Sequence, residues 1–207
     1  MTLSARLTAA AETLAVSVPE GAAEKLLSLV AVLAKWNAKI RLVGPVSAQQ
    51  ILDDHVVDGL GFARIVARTD TASWWDIGSG AGLPGLVLAT LFPRRHFELV
   101  EPITKKTAFI TTAVRTLGLT NVTVHTTRME LLTPDETSPK GALSRATFAP
   151  DAWYARAAEL VGPGGQVIVA LGSTDAPDLR ARALLTDDYE MPVGRAKRSN
   201  LLVQVPL

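Results

Sequence analysis

Asp76 closes the short apolar run Ser73-Trp74-Trp75 and is followed by Ile77-Gly78-Ser79-Gly80-Ala81-Gly82-Leu83-Pro84-Gly85. A carboxylate placed before a glycine-rich turn suits a ligand with a cationic or amine-bearing part next to a sugar. Glycine tolerates positive φ and has no Cβ, so such a turn bends sharply and lies close to what it binds. Gly80 to Gly85 does fit G-x-G-x-x-G, the dinucleotide fingerprint. Two residues turn the reading away from a pyrophosphate. In low dielectric, Asp76 would repel it. Pro84 has no N–H and deletes a donor from the helix start that would hold phosphate. S-adenosylmethionine carries a sulfonium, an ammonium and a ribose, and no phosphate. The expected cofactor contacts therefore begin with Asp76, Gly78, Gly80, Gly82 and Leu83.

Further candidates follow in chain order. Glu101 ends the run His96 to Val100, where an acid can hold two ribose hydroxyls. Glu130 can accept from an adenine amino group while Met129 packs on the ring; the plainer role for Glu130 is a first-turn acid meeting the helix dipole. Arg145 brings a rigid fork of donors, suited to a phosphate, a cofactor carboxylate or a structural ion pair. Lys105 and Lys106, and Arg195, Lys197 and Arg198, are candidate phosphate contacts, with a solvated surface as the alternative. His55 and Asp58 are three apart and share a helical face, so a structural hydrogen bond closing the N-terminal helices over the site is expected there, with catalysis as the alternative.

These side chains need elements to position them. The first seventy residues read as helices. One begins at Pro19-Glu20 and runs through Leu26, Val30 and Leu33 to Trp36; another opens at the capping box Ser47-Ala48-Gln49-Gln50. Residues 39–45 read as the linker between them. From residue 72 strand candidates at 72–77, 96–101, 121–126, 141–144 and 165–171 alternate with helix candidates at 84–92, 103–118, 128–132 and 150–161. That rhythm predicts βαβ units around a mostly parallel sheet. Two last strands, 186–193 and 200–206, predict an antiparallel edge hairpin whose turn holds the basic cluster Arg195, Lys197 and Arg198. The expected division is a helical extension, 1–69, packed on a core, 70–207. The four tryptophans read as core or interface aromatics.

Composition narrows the chemistry. The 207 residues include no cysteine, which excludes disulfides, thiolate metal sites and thiol nucleophiles. It also excludes the thiolate addition that methylates carbon 5 of pyrimidines. The three histidines are scattered without metal-ligand spacing, so no metal is expected. There is no Asn-Pro-Pro-aromatic tetrapeptide of the kind used on exocyclic amines. Net charge is +1 and evenly spread, far from the basic balance of a protein that grips naked nucleic acid by its field. No apolar run is long enough for a membrane span and no signal-peptide pattern is present. The chain reads as cytoplasmic, without membrane contact, and as a monomer.

The stretch Asp76 to Gly85 resembles the D-[IV]-G-[ST]-G-x-G-x-P-G motif of the ribosomal RNA small-subunit methyltransferase G family, also called glucose-inhibited division protein B. His55-Val56-Val57-Asp58 is similar to that family's H-x-x-D. Lys105-Lys106 with Phe109-Ile110 resembles its K-[KR]-x-x-F-L, and Ser144-Arg145-Ala146 its S-R-A. The resemblance covers roughly residues 30 to 172. It implies a class I, Rossmann-like fold and an S-adenosylmethionine-dependent enzyme that forms N7-methylguanosine in 16S ribosomal RNA, on naked RNA or on the small ribosomal subunit. It places Gly78, Leu83, Met129, Glu130 and Arg145 at cofactor positions and Glu101 at the ribose acid; we take Arg145, which on a guanine acceptor could also hold O6, as the catalytic candidate, and with an RNA substrate the phosphates that Lys105, Lys106, Arg195, Lys197 and Arg198 could meet are those of RNA. Three departures stand out: Ile40-Arg41-Leu42-Val43 after the Trp-Asn pair, Gly59 for serine after Asp58, and Leu171-Gly172 where the family has Lys-Gly. The alternatives are a small-molecule methyltransferase, a non-catalytic module that binds the cofactor or the ribosome, and a nicotinamide-dependent oxidoreductase. The last lacks a Tyr-x-x-x-Lys pair.

Overall fold

A computed structural model describes all residues except 45–46, 146–147 and 173–174. Pro45 of the expected linker and Ala146 of the S-R-A segment lie outside the described residues. Helices α1 (Leu3–Thr13), α2 (Ala22–Ile40), α3 (Ala48–Ile51) and α4 (Val57–Val66) come first, with a π-helical turn, Leu52–Val56, joining α3 to α4. Strands β1 (Ser73–Ile77), β2 (His96–Val100), β3 (Val122–His125), β4 (Gly141–Ser144) and β5 (Gln166–Leu171) then alternate with α5 (Gly85–Leu91), α6 (Thr104–Leu117) and α7 (Pro150–Val161). A short α8 (Pro177–Arg182) precedes β6 (Leu185–Glu190) and β7 (Lys197–Gln204). The seven strands run in the order β3-β2-β1-β4-β5-β7-β6. β1 to β5 are parallel, and β7 is antiparallel to both β5 and β6. The expected α/β architecture with an antiparallel edge hairpin is what forms.

Strand order reverses direction between β1 and β4, so the loops leaving their carboxyl ends diverge and open a crevice. The glycine turn leaves β1 there, and Arg145 follows β4. Each face of the sheet carries its own core. On one, Leu26, Leu29, Leu33, Leu52, Leu60 and Phe62 of the N-terminal helices pack with Leu86, Leu88, Phe97 and Phe109. On the other, α7 and α8 cover Trp75, Val100, Val167 and Val169. Trp74, Trp75 and Trp153 are buried, and Trp36 packs edge-on against Phe109 at 5.7 Å.

Several boundaries differ from the sequence pattern, each for a local reason. Helix α2 starts at Ala22, because Pro19 and Glu20 are spent on a turn closed by Ala22 N–H to Pro19 O and Gly21 caps at φ 74°. The helix continues through Lys39 and Ile40, which the pattern gave to the linker. α8 has six residues, too few to show a period. β7 begins at Lys197, so Lys197 and Arg198 lie on a strand and only Arg195 sits in the hairpin turn. Ser47 and Gln50 do make both halves of the predicted capping box.

Ion pairs tie the helical part to the sheet edge. Arg6 of α1 forks onto Asp53 of the π turn, Nε to Oδ1 at 3.2 Å and Nη2 to Oδ2 at 2.5 Å. Arg64 of α4 forks onto buried Asp187 of β6 at 2.8 and 3.0 Å and also donates to the carbonyl of Leu14. Leaving one charge of a buried pair uncompensated is costly. Replacing Asp187 by alanine is therefore expected to lower the unfolding free energy by about 3 kcal/mol, read from urea denaturation followed by circular dichroism.

Candidate functional site

The glycine turn is held from inside. Gly78 and Ser79 N–H both donate to Val100 O, at 2.9 and 3.1 Å, and Gly80 N–H donates to Glu101 Oε2 at 3.0 Å. Gly78, Gly80 and Gly82 all have positive φ. Gly85 N–H, the first donor of α5, reaches Asp76 Oδ2 at 2.8 Å. Leu86 N–H goes to Gly82 O, and Val87 and Leu88 N–H go to Pro84 O. The N-terminal donors of α5 are thus consumed within the protein, and an anionic phosphate has none of them to bind. Pro84 follows a cis peptide bond.

Asp76 is where the structure corrects the sequence reading. It does not stand at the mouth of the turn. It is fully buried beneath it, and Oδ1 has no hydrogen-bond partner. A Cβ on Gly85 would lie 2.6 Å from Oδ2, so the approach requires glycine. Burial pushes the Asp76 carboxyl up to about 7, against the Gly85 hydrogen bond and the charge of Arg145, which pull it down. Asp76 therefore braces the turn and does not present a fixed negative charge to a ligand.

Glu101 is also buried and braces the other side of the turn. Besides Gly80 it accepts from Ile103 N–H at 3.0 Å, and Lys106 Nζ lies 3.6 Å away. Carboxylate oxygens accept more than one hydrogen bond each, so ribose hydroxyls remain compatible with this arrangement. Lys106 thus has a partner inside the site, while Lys105 is exposed. Met129 and Glu130 form a single 3-10 turn after β3 in place of the expected helix. Met129 packs partly against the α7 side of the sheet. Glu130 turns outward to Arg156 at 2.7 Å, so its carboxylate is not held toward the turn.

A cleft of about 870 Å³ opens beside the turn. Gly78 to Ala81 and Leu83 form one wall, Asp54, His55 and Asp58 a second, and Phe148 to Pro150 a third. Arg145, Tyr189 and Arg198 also line it; Asp76, Gly82, Glu101, Met129 and Glu130 do not. Arg145 Nη1 meets Asp58 Oδ2 at 3.0 Å, which fastens α4 to the end of β4 across the cleft. The expected bond between His55 and Asp58 is absent; Asp58 is committed to Arg145. Arg198 faces Tyr189 across the β6–β7 ladder, and burial pushes the Tyr189 phenol up in pKa. Arg195 is occupied by Glu190. Asp54, Phe148 and Tyr189 gave no motif signal, and only their place in the fold brings them to the cleft.

Two departures from the family pattern gain a physical content here. A Cβ on Gly59 would lie 2.9 Å from the Val87 side chain, so glycine lets α4 pack directly on α5. Leu171 puts a buried apolar side chain on the cleft where the family pattern has lysine. Among the described residues no cluster of histidine, aspartate and glutamate could hold a metal ion.

The buried carboxyl sets a pH dependence. An acid whose folded pKa lies above its unfolded value binds more protons when folded, so folding loses stability as pH rises between the two values. For Asp76 that window runs from about 4 to about 7. Asp76→Asn keeps an oxygen for Gly85 N–H and carries no charge. Chemical denaturation across pH 5 to 8 is expected to show wild-type stability falling through this range by an amount that the variant does not lose.

The family described as rRNA small subunit methyltransferase G matches residues 22–191. Ribosomal RNA small subunit methyltransferase G of Myxococcus xanthus is 36% identical over 204 residues, covering 93% of each chain. The protein of that name from Wolinella succinogenes is 36% identical over 149 residues, 72% of this chain and 75% of its own. Among solved structures, an O-methyltransferase of Streptomyces achromogenes involved in tomaymycin synthesis, in complex with SAM, superposes with a TM-score of 0.60. It covers 98% of this chain and 99% of its own at 18% identity. Human methyltransferase 10 domain containing protein gives 0.57 over 87% and 96% at 14% identity. The two structures establish the class I methyltransferase fold. The sequence relatives establish more: the chain belongs to the rRNA small subunit methyltransferase G family.

Proposed function

We propose that the protein is an S-adenosylmethionine-dependent methyltransferase that methylates N7 of a guanosine in 16S ribosomal RNA, in the cytoplasm and as a monomer. The observation that carries this reading is the single cleft shared by the glycine turn, the Asp58–Arg145 pair and Arg198. The residues present fit the cofactor. A Cβ on Gly80 would meet nothing closer than Gly78 O at 3.9 Å, so the turn leaves open space for a close-lying ligand. Ser79 Oγ is buried beside it without a partner. Gly78, Gly80 and Leu83 would line the cofactor, with Asp76 and Gly82 shaping the turn beneath it. Glu101 would hold the ribose, and Met129 and Glu130 would flank the adenine once Glu130 exchanges Arg156 for the base. No helix among the described residues is long and apolar enough to cross a membrane.

When bound, S-adenosylmethionine supplies an electrophilic methyl group on a sulfonium. N7 of guanine carries a lone pair and no proton. It would take the methyl as the carbon–sulfur bond of the sulfonium breaks and S-adenosylhomocysteine leaves, and no proton has to leave. The chain therefore needs no general base, and its work is alignment and exclusion of water. Arg145, pinned by Asp58, presents its guanidinium at the end of β4. It is the residue we assign to hold the acceptor nucleotide. A cysteine nucleophile is not required and the chain has none.

Titration calorimetry is expected to show binding of S-adenosylhomocysteine and none of NADH; the reverse result would remove the cofactor assignment. Mass analysis of 16S RNA from a strain lacking the gene is expected to show loss of one N7-methylguanosine. Unchanged content would instead favour a small-molecule acceptor. Of the three basic hairpin residues, Arg195 already has Glu190. Neutralising Lys197 and Arg198 is therefore expected to reduce the salt slope of RNA binding by about 0.7 per lost phosphate contact. Neutralising Arg195 alone should leave the slope unchanged.

A further inference from the structure

His55 lines the cleft from the π-helical turn, and the glycine turn lines the same cleft. Turns of this kind recur at functional sites because the extra residue re-aims side chains. Its Nδ1 is buried and has no hydrogen-bond partner. Nε2 has no protein partner among the described residues, and it is not among the buried unpartnered atoms. Burial, followed by the positive charge of Arg145, pushes the imidazole pKa down, while Asp54 and Asp58 act the other way. At neutral pH the ring is therefore uncharged and has one N–H to place. Which nitrogen carries it is set by the partners available. A buried N–H without an acceptor is the rarer and costlier arrangement. The proton belongs on Nε2, and the ring offers the cleft a hydrogen-bond donor.

Resting on the methyltransferase reading above, we infer that His55 is a base-selecting residue: its Nε2–H, in the cleft that the glycine turn also lines, donates to O6 of the target guanine. Guanine presents N7 and O6 side by side on one edge as acceptors, whereas adenine puts an amino donor beside N7. A donor on O6 accepts guanine and leaves the N7 lone pair free for the methyl. It sets an adenine amino group against an N–H. Arg145 then need not read the base alone, which fits its commitment to Asp58.

The test compares His55→Phe, His55→Gln and His55→Asn by methyl transfer to small ribosomal subunits lacking the modification. Phenylalanine keeps the ring without a donor. Glutamine carries an amide to the Nε2 position, and asparagine reaches only the Nδ1 position. We expect kcat/KM for the subunit to fall about 10- to 100-fold in the Phe and Asn variants, the loss of one buried hydrogen bond. The Gln variant should recover to within about fivefold. Affinity for S-adenosylhomocysteine and the thermal midpoint should match wild type in all three. A Phe variant as active as wild type, or a Gln variant no better than Asn, would overturn the inference. So would loss of activity that only tracks loss of cofactor affinity or of thermal stability. A wild-type protein that binds S-adenosylhomocysteine yet leaves the RNA unmethylated would overturn the functional reading, and this inference with it.

Discussion

The hydrogen bond from Gly85 N–H to Asp76 Oδ2 sets the geometry on which the site depends. It folds the glycine turn back over the end of β1 and leaves no room for a Cβ at position 85. It also takes the leading donor of α5. In a dinucleotide site that donor would face a pyrophosphate. Here the helix terminus is closed by the protein's own carboxyl, and the turn is left as a shaped apolar and hydroxyl surface. The cost is a fully buried acid with one unpartnered oxygen. Burial of a charge is relieved when the group takes up a proton, which is what a pKa near 7 expresses.

The N-terminal helices also line the cleft, and charge pairs hold them in place. Asp58 to Arg145, Arg64 to Asp187 and Arg6 to Asp53 join residues 87, 123 and 47 positions apart. Each joins one of the N-terminal helical elements to its neighbour or to the sheet. Together they fix α4 between the glycine turn and the edge hairpin, where Gly61 leaves no space between the helix and the Tyr189 ring. The site is therefore a property of two parts of the chain that share one core, and the glycine turn alone would supply only one wall.

This division explains what could be read from the sequence. Strand β4 and helix α7 fall where the apolar runs put them, because burial writes a local period into the residues that form them. The glycine turn was legible for the same reason: its chemistry is contiguous. The environment of Asp76 was not, since depth below the surface leaves no trace in neighbouring residue types. The Asp58–Arg145 pair was not, because its partners lie far apart in the chain. The boundary of β7 was missed because its first residues, Lys197 and Arg198, are polar, and an apolar period starts only later in the strand.

Charge placement bears on how an evenly balanced chain can act on a polyanion. Five cations near the site are matched: Lys106 by Glu101, Arg145 by Asp58, Arg156 by Glu130, Arg180 by Asp175 and Asp188, and Arg195 by Glu190. Among the described residues of the same region Arg41, Lys105, Arg128, Lys197 and Arg198 make no ion pair. Paired charges present dipoles, whose field fades faster with distance than that of a free cation, and salt screens what remains beyond about 10 Å. With a net charge of +1, the attraction of the whole chain to RNA at long range is weak. Selectivity has to arise at contact, from what the cleft admits and which of its polar atoms still lack a partner. His55 Nε2 and Ser79 Oγ are such atoms, one on the π-helical turn and one in the glycine turn.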